Sequence, residues 1–260
     1  MRANTWHRCM VTGLGGILAI PVVATLLYSL SSEWGATLLP DGLTFDWYVQ
    51  LWHDPRFLTA FGHSLAICLG TLFLSTVVIV PAVFVTFYRF PGLNRLMNVL
   101  ILMPFAIPPV VSSVGMLQLY ADGPLPLIGT PWVLIGCYFT IVLPFIYRAL
   151  ANSLGGMNLR DLMDAAHLLG ATTPRAFLSV ILPSLKPGLM ASLFLSFSFL
   201  LGEFVFANML VGTRYETLQV YLYNVRQTSG HFTSAVVMSY FLFTLALTWL
   251  AARLGKIGSQ

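Results

Sequence analysis

Six long apolar runs dominate this chain: about Cys9–Leu30, Leu58–Tyr88, Leu96–Leu119, Pro131–Leu150, Pro187–Leu210 and Phe232–Arg253. Each has the roughly 20 residues a helix needs to cross a bilayer. Lipid offers no water to backbone N–H and C=O groups, so only helices or closed barrels span it, and these runs lack the alternation of barrel strands. With 57% hydrophobic and 8% charged residues, the chain lies far from soluble domains, in which about a quarter of residues are charged. The expectation is an all-α bundle of six transmembrane helices, the second run being long enough to include an interfacial turn.

Basic residues orient the bundle, because cytoplasmic loops carry the excess of Lys and Arg. A cytoplasmic N-terminus puts Arg2, Arg8, Arg89, Arg95, Arg148, Arg160, Arg175, Lys186, Arg253 and Lys256 inside, ten of the thirteen Lys and Arg. Arg56, Arg214 and Arg226 fall outside, together with Glu33, Asp41, Asp46, Asp54, Asp122 and Glu216. Both termini are then cytoplasmic, in a multi-pass membrane protein. The net charge of +4 is ordinary inside bias and excludes a nucleic-acid surface. The first run is longer than a signal-peptide core, so it reads as an uncleaved helix. Cys9, Cys68 and Cys137 are scattered; they suggest buried thiols, neither a disulfide framework nor a metal site.

No linker or repeat divides the chain, which reads as a single transmembrane domain over 1–260. The external stretch Ser31–Arg56 predicts a short amphipathic helix capped by Asp46, with Tyr48, Leu51 and Trp52 on one side and Pro55 interrupting it. Pro104, Pro108 and Pro109 in the third run predict a bend or break, serving either packing or a water-filled cavity. His63 reads as interfacial; Gln118 and Tyr120 could line an outer vestibule.

The longest cytoplasmic connection, Arg148–Lys186, holds the polar stretch MDAAHLLGATTPRAFLSVILP. Asn158 can cap a helix whose third residue is Asp161. Leu162, Ala165, Ala166 and Leu169 recur at helical spacing as one apolar stripe. Gly170 supplies a left-handed stop, Thr173 caps and Pro174 starts a second helix, and Pro183 limits the next stretch.

DAAHLLGATTPRAFLSVILP resembles the EAA motif of ABC-importer permeases: Glu-Ala-Ala, three residues, Gly, nine residues, Ile, any residue, Leu-Pro. Asp164, Ala165, Ala166 and Gly170 match, and Val180, Leu182 and Pro183 come at the kept spacing. Asp for Glu and Val for Ile are conservative departures. GLTFDWYVQLW and LMPFAIPPVV also look familial. The resemblance implies a type I importer permease fold, with the loop at about 151–186 carrying a coupling helix that docks on an ATP-hydrolysing subunit. It further implies two ATPase copies, a second permease (a homologue or the chain itself), an external solute-binding protein, and alternating access. GEFVFANMLVGTRYETLQVYLYN looks most like the polyamine, aminophosphonate, thiamine or iron group, and a small amine-bearing solute is the expectation.

Glu203 is the one acid inside a predicted span. Such a group is expensive in lipid and faces a cavity or a partner. Ser192, Ser196, Phe199 and Glu203 fall on one helical stripe continued by Phe206 and Ala207, a candidate pathway lining. Glu203 either meets a cationic solute or holds helices together by hydrogen bonds; both readings stay open. The chain has no phosphate-binding Gly-x4-Gly-Lys-Ser/Thr loop and no His-Glu-x2-His pattern, so no catalytic residue, cofactor or metal site is expected, and the ATP site lies in another polypeptide. A stand-alone secondary transporter or channel would also have six spans, but leaves the spaced loop unexplained.

Overall fold

Proline positions decide where this chain's helices run on and where they stop. A computed structural model describes residues 2–35, 37, 40–122 and 124–257. In chain order the helices are α1 (Arg2–Leu30), α2 (Asp46–His53), α3 (Pro55–Arg89), α4 (Asn94–Leu100), α5 (Met103–Ala106) and α6 (Pro109–Tyr120). Next come α7 (Pro131–Gly155), α8 (Leu159–Leu168), α9 (Thr173–Ala176), α10 (Leu182–Leu201), α11 (Leu218–Val225) and α12 (Gly230–Ile257). Among the described residues, five stretches are long and apolar enough to cross a membrane: Trp6–Leu30, Pro55–Arg89, Pro131–Gly155, Thr173–Leu201 and Gly230–Leu250. A sixth is broken, with Pro91–Ala106 meeting Pro109–Tyr120 at 88°. The extended pairing described is a lone bridge, Ser31 to Leu43, so the fold is all-α.

The break stems from the Pro-Pro pair. A residue before proline is pushed out of the helical region, and this applies twice: Ile107 is extended at φ −105°, ψ 122°, and Pro108 at φ −57°, ψ 138°. Pro109 then starts α6 at the position proline tolerates best.

Two spans differ from expectation. The second contains no interfacial turn. The 35 residues of α3 form one helix, about 50 Å long, because Gly62, Gly70 and Pro81 are all carried in helical conformation and no stop signal precedes Phe90. The fifth does not run from Pro187 to Leu210. It starts at Thr173, continues through a π-turn at Phe177–Ile181 and ends at Leu201. Pro183 therefore limits nothing: in the π-turn the Leu182 N–H reaches back to the Phe177 carbonyl, shifting the register just before the residue that lacks a donor. Thr172, not Thr173, takes the cap position, with Pro174 second in the helix.

By internal contacts the chain divides into two compact units, Met1–Thr59 with Tyr221–Leu245, and Ala60–Val220 with Ala246–Gln260. The first is stitched together by the segment between α1 and α3, of which positions 36, 38 and 39 lie outside the described residues. There the His231 ring stacks on Tyr28 at 4.1 Å and on Trp47 at 5.9 Å. The Trp47 indole donates to the Ser31 carbonyl at 2.9 Å, and the Tyr221 hydroxyl donates to Asp54 at 2.6 Å. Asp46 is the first residue of α2 rather than its cap, and its N–H bonds Thr44 Oγ1. Leu51 is fully buried beside it while Trp52 stays half exposed. Cys9, expected to be buried, is exposed on α1; Cys68 and Cys137 are buried.

In the second unit α7 packs along α10, with Val142, Ile146, Leu150, Leu185 and Leu200 buried. Close approach rests on Gly188, where an added Cβ would lie 2.5 Å from Ser153 Oγ and 3.5 Å from the Ala149 carbonyl. Gly188→Val should destabilise the bundle by about 1–3 kcal/mol, the usual cost of overpacking. Gly188→Ala should cost less, because Ser153 can turn away after giving up its bond to Ala149. Thermal unfolding of both variants in detergent checks the order, and Ser153→Ala in the Gly188→Ala background should recover most of the loss.

Candidate functional site

Two places concentrate chemistry: the loop between the fourth and fifth spans, and a cavity at the two broken helices. The loop is shorter than Arg148–Lys186, since α7 runs to Gly155 and the next span starts at Thr173. Asn158 stands at the N-cap position of α8, but its side-chain amide donates to the Asp161 carboxylate rather than capping a backbone N–H. At the far end Gly170 has φ +82°. Its N–H bonds the His167 carbonyl at 2.9 Å, and the Ala171 N–H bonds the Ala166 carbonyl at 3.0 Å. This pair is the Schellman stop, which needs the left-handed residue glycine adopts without penalty.

The buried stripe of α8 lies beside the one read from the sequence and shares Ala166 with it. Leu159, Met163 and Ala166 face inward, Met163 completely. Leu162, Asp164, Ala165, Leu169 and Gly170 are exposed, and Leu168 and Leu169 are each 89% exposed. The helix has two apolar stripes, one used against its own chain and the other turned outward. After the stop, Ile181 is fully buried, Val180 and Leu182 are partly buried and Pro183 is exposed.

The cavity has a volume of about 720 Å³. Its walls come from the broken third span (Phe105, Ile107, Ser112), from α7 (Cys137, Thr140) and from the region where the fifth span ends (Ser198, Phe199, Glu203). Gly202 ends α10, and beyond it lies a further helical segment, 205–211, with a π-turn at Ala207–Val211. Glu203 causes that restart. Its Oε1 accepts the Phe206 N–H at 2.8 Å, and its Oε2 accepts the Ala207 N–H at 3.2 Å. These are donors that a helix start leaves unsatisfied. The Tyr138 hydroxyl, on α7, donates to Oε2 at 2.8 Å. The carboxylate is thus a helix cap, a tie to α7 and part of the cavity wall at once.

Phe199 and Glu203 line the cavity, whereas Ser192 and Ser196 are buried outside its walls. Ser192 bonds the Leu189 carbonyl at 2.8 Å, and the Ser196 hydroxyl has no hydrogen-bond partner. Tyr138 was not among the residues the sequence singled out. Its signal is a tyrosine in mid-span, away from the interfacial belts where tyrosine is usually found, whose hydroxyl needs a partner. Elsewhere in the unit, His63 stacks on Tyr215 at 3.8 Å with Nδ1 3.0 Å from the Glu216 carbonyl. Gln118 and Tyr120 lie outside the cavity walls.

The chain is similar to known proteins over most of its length. Residues 78–256 match the family described as binding-protein-dependent transport system inner membrane component. The permease of Salmonella typhimurium (strain LT2) named PhnV, for 2-aminoethylphosphonate transport, is 26% identical over 243 residues, covering 91% of this chain and 90% of that protein. The spermidine/putrescine transport system permease PotC of Escherichia coli K12 is 27% identical over 220 residues, 83% and 80% of the two chains. Among solved structures, a chain of the bacterial alginate ABC transporter bound to its periplasmic protein superposes with TM-score 0.71 at 14% identity, covering 95% and 92%. A chain of the inward-facing MetNI methionine ABC transporter gives TM-score 0.64 at 18% identity, covering 82% and 99%.

Proposed function

Because the chain belongs to the family of binding-protein-dependent inner-membrane transport components, and so is the permease component of an ABC importer, we propose that it carries a small amine-bearing solute. The observation behind the solute class is Glu203, the acid at the wall of an otherwise mainly apolar and aromatic cavity. An ammonium group can donate a hydrogen bond to a carboxylate and lie over phenylalanine faces. The names of PhnV and PotC specify amine-bearing solutes, which supports the same class. Phe199 and Glu203 line the proposed pathway; Ser192 and Ser196 support it from behind.

In this reading 1–260 is one permease domain with both termini in the cytoplasm. It pairs with a second permease, a homologue or another copy, and takes solute from an external binding protein. ATP is hydrolysed by two copies of a separate subunit. The exposed stripe of α8 docks into that subunit as a helix in a groove, with Leu162, Asp164, Ala165, Leu168 and Leu169 outward. Ala166 anchors α8 to its own chain, Gly170 ends it, and Val180, Leu182 and Pro183 carry the chain back to the bilayer. ATP binding would draw the coupling helices together and open the pathway outward.

Proteoliposomes holding the permease pair, its ATPase and its binding protein should accumulate labelled putrescine or 2-aminoethylphosphonate only with ATP inside. Amine uptake that is complete without the ATPase would make the chain a lone transporter and overturn the reading. ATP-driven uptake confined to amine-free solutes would overturn the solute class alone.

A further inference from the structure

A second, smaller cavity of about 190 Å³ lies between α3, α4 and α7. Its walls are almost entirely hydrocarbon: Val78, Val83, Met97, Ile101 and Leu143 are representative. The Thr86 hydroxyl is spent on the Ala82 carbonyl at 2.8 Å, leaving Tyr147 as the polar exception. Tyr147 is 3% exposed and its hydroxyl has no hydrogen-bond partner, which a buried donor tolerates only at a cost. An apolar space of about 150 Å³ accepts a benzene, so this one accepts a short stretch of acyl chain.

On the helices that wall it the charge has one sign. Arg89 lies one turn beyond Thr86 on α3, Arg148 is next to Tyr147 on α7, and Arg95 is two residues before Met97 on α4. All three are exposed, and no Asp or Glu occurs in 78–101 or 139–155. A hydrocarbon slot with an unsatisfied hydroxyl, flanked by arginines at the membrane edge, has the two halves that a phospholipid with a negative headgroup requires.

We propose that this groove is a binding site for one anionic phospholipid, an acyl chain lying between α3, α4 and α7 and the phosphate held by Arg89, Arg95 and Arg148. Tyr147 donates at the boundary between chain and headgroup. The site is separate from the Glu203 cavity and does not depend on what that cavity carries.

The test uses the assembled permease–ATPase complex in nanodiscs of phosphatidylcholine containing a small fraction of spin-labelled lipid. Labelled phosphatidylglycerol should show a motionally restricted component about three times that of labelled phosphatidylcholine, or more. The R89Q/R95Q/R148Q variant should remove the excess. Met97→Trp, which fills the slot and keeps every charge, should remove it too, and Tyr147→Phe should weaken it. Equal restriction of both lipids, or an excess that survives Met97→Trp, would overturn the proposal. Were the triple variant not to assemble, Met97→Trp and Tyr147→Phe still decide. A disulfide formed in high yield between Cys introduced at Val78 and the second permease would assign the groove to a protein contact and overturn it as well.

Discussion

Replacing Gly170 with valine should leave the permease in the membrane at near-normal level and lower ATP-coupled uptake about tenfold or more. At φ +82° the residue sits where a side chain is strained, yet an added Cβ would meet nothing within 4 Å. The penalty is therefore purely conformational, about 1–2 kcal/mol, and larger for a β-branched residue. That is enough to change the population of the intact stop by a factor of about 5–30. The bonds lost run from Gly170 to His167 and from Ala171 to Ala166, so the turn that frays carries Leu168 and Leu169. Uptake and ATPase rates in proteoliposomes, beside expression level, measure the effect. Asparagine tolerates the left-handed region, and Gly170→Asn should restore most of the coupling. Collapsed expression with normal coupling in the surviving complex would make Gly170 a folding residue only.

Glu203 gives the second large effect, and two substitutions separate its tasks. Glu203→Leu strands the N–H groups of Phe206 and Ala207 and the hydroxyl of Tyr138. Each buried orphan costs about 1–3 kcal/mol, so this variant should lose assembly on gel filtration. Glu203→Gln keeps an oxygen for the backbone donors and an amide that can donate to Tyr138. It should assemble with basal ATPase activity intact and lose amine uptake by about tenfold or more, the scale of one charge-assisted hydrogen bond. A Gln variant with full uptake would falsify the solute contact and leave Glu203 as the cap of 205–211. Tyr138→Phe removes one donor of three and should lie between the two in stability.

Much of this was legible in the residues. Span number came from apolar length, the break in the third span from Pro108 and Pro109, and the end of α8 from Gly170. The inward face of α8 was not. Leu162, Ala165 and Leu169 fit helical spacing as well as Leu159, Met163 and Ala166 do, and only tertiary packing decides which set turns in. The end of the fifth span was hidden because Phe204, Val205 and Phe206 keep the run apolar across the restart. Its one trace was an acid three residues before Phe206, the spacing of a side chain that closes a new first turn. The early start at Thr173 was missed because a proline at 183 reads as a stop unless a π-turn is foreseen, and nothing local to Phe177–Ile181 announces one.

That π-turn sets an angular phase. Thr173–Leu201 is one rod of 29 residues, and successive residues in a helix are about 100° apart. The π-turn at Phe177–Ile181, one residue more than an α-turn holds, works like an index mark between its two parts. Before it Ala176 is clocked into the bundle; beyond it Ser198 and Phe199 are clocked toward the cavity. Loss of one residue there would leave every helix intact but turn the upper part about 100° out of step with the lower.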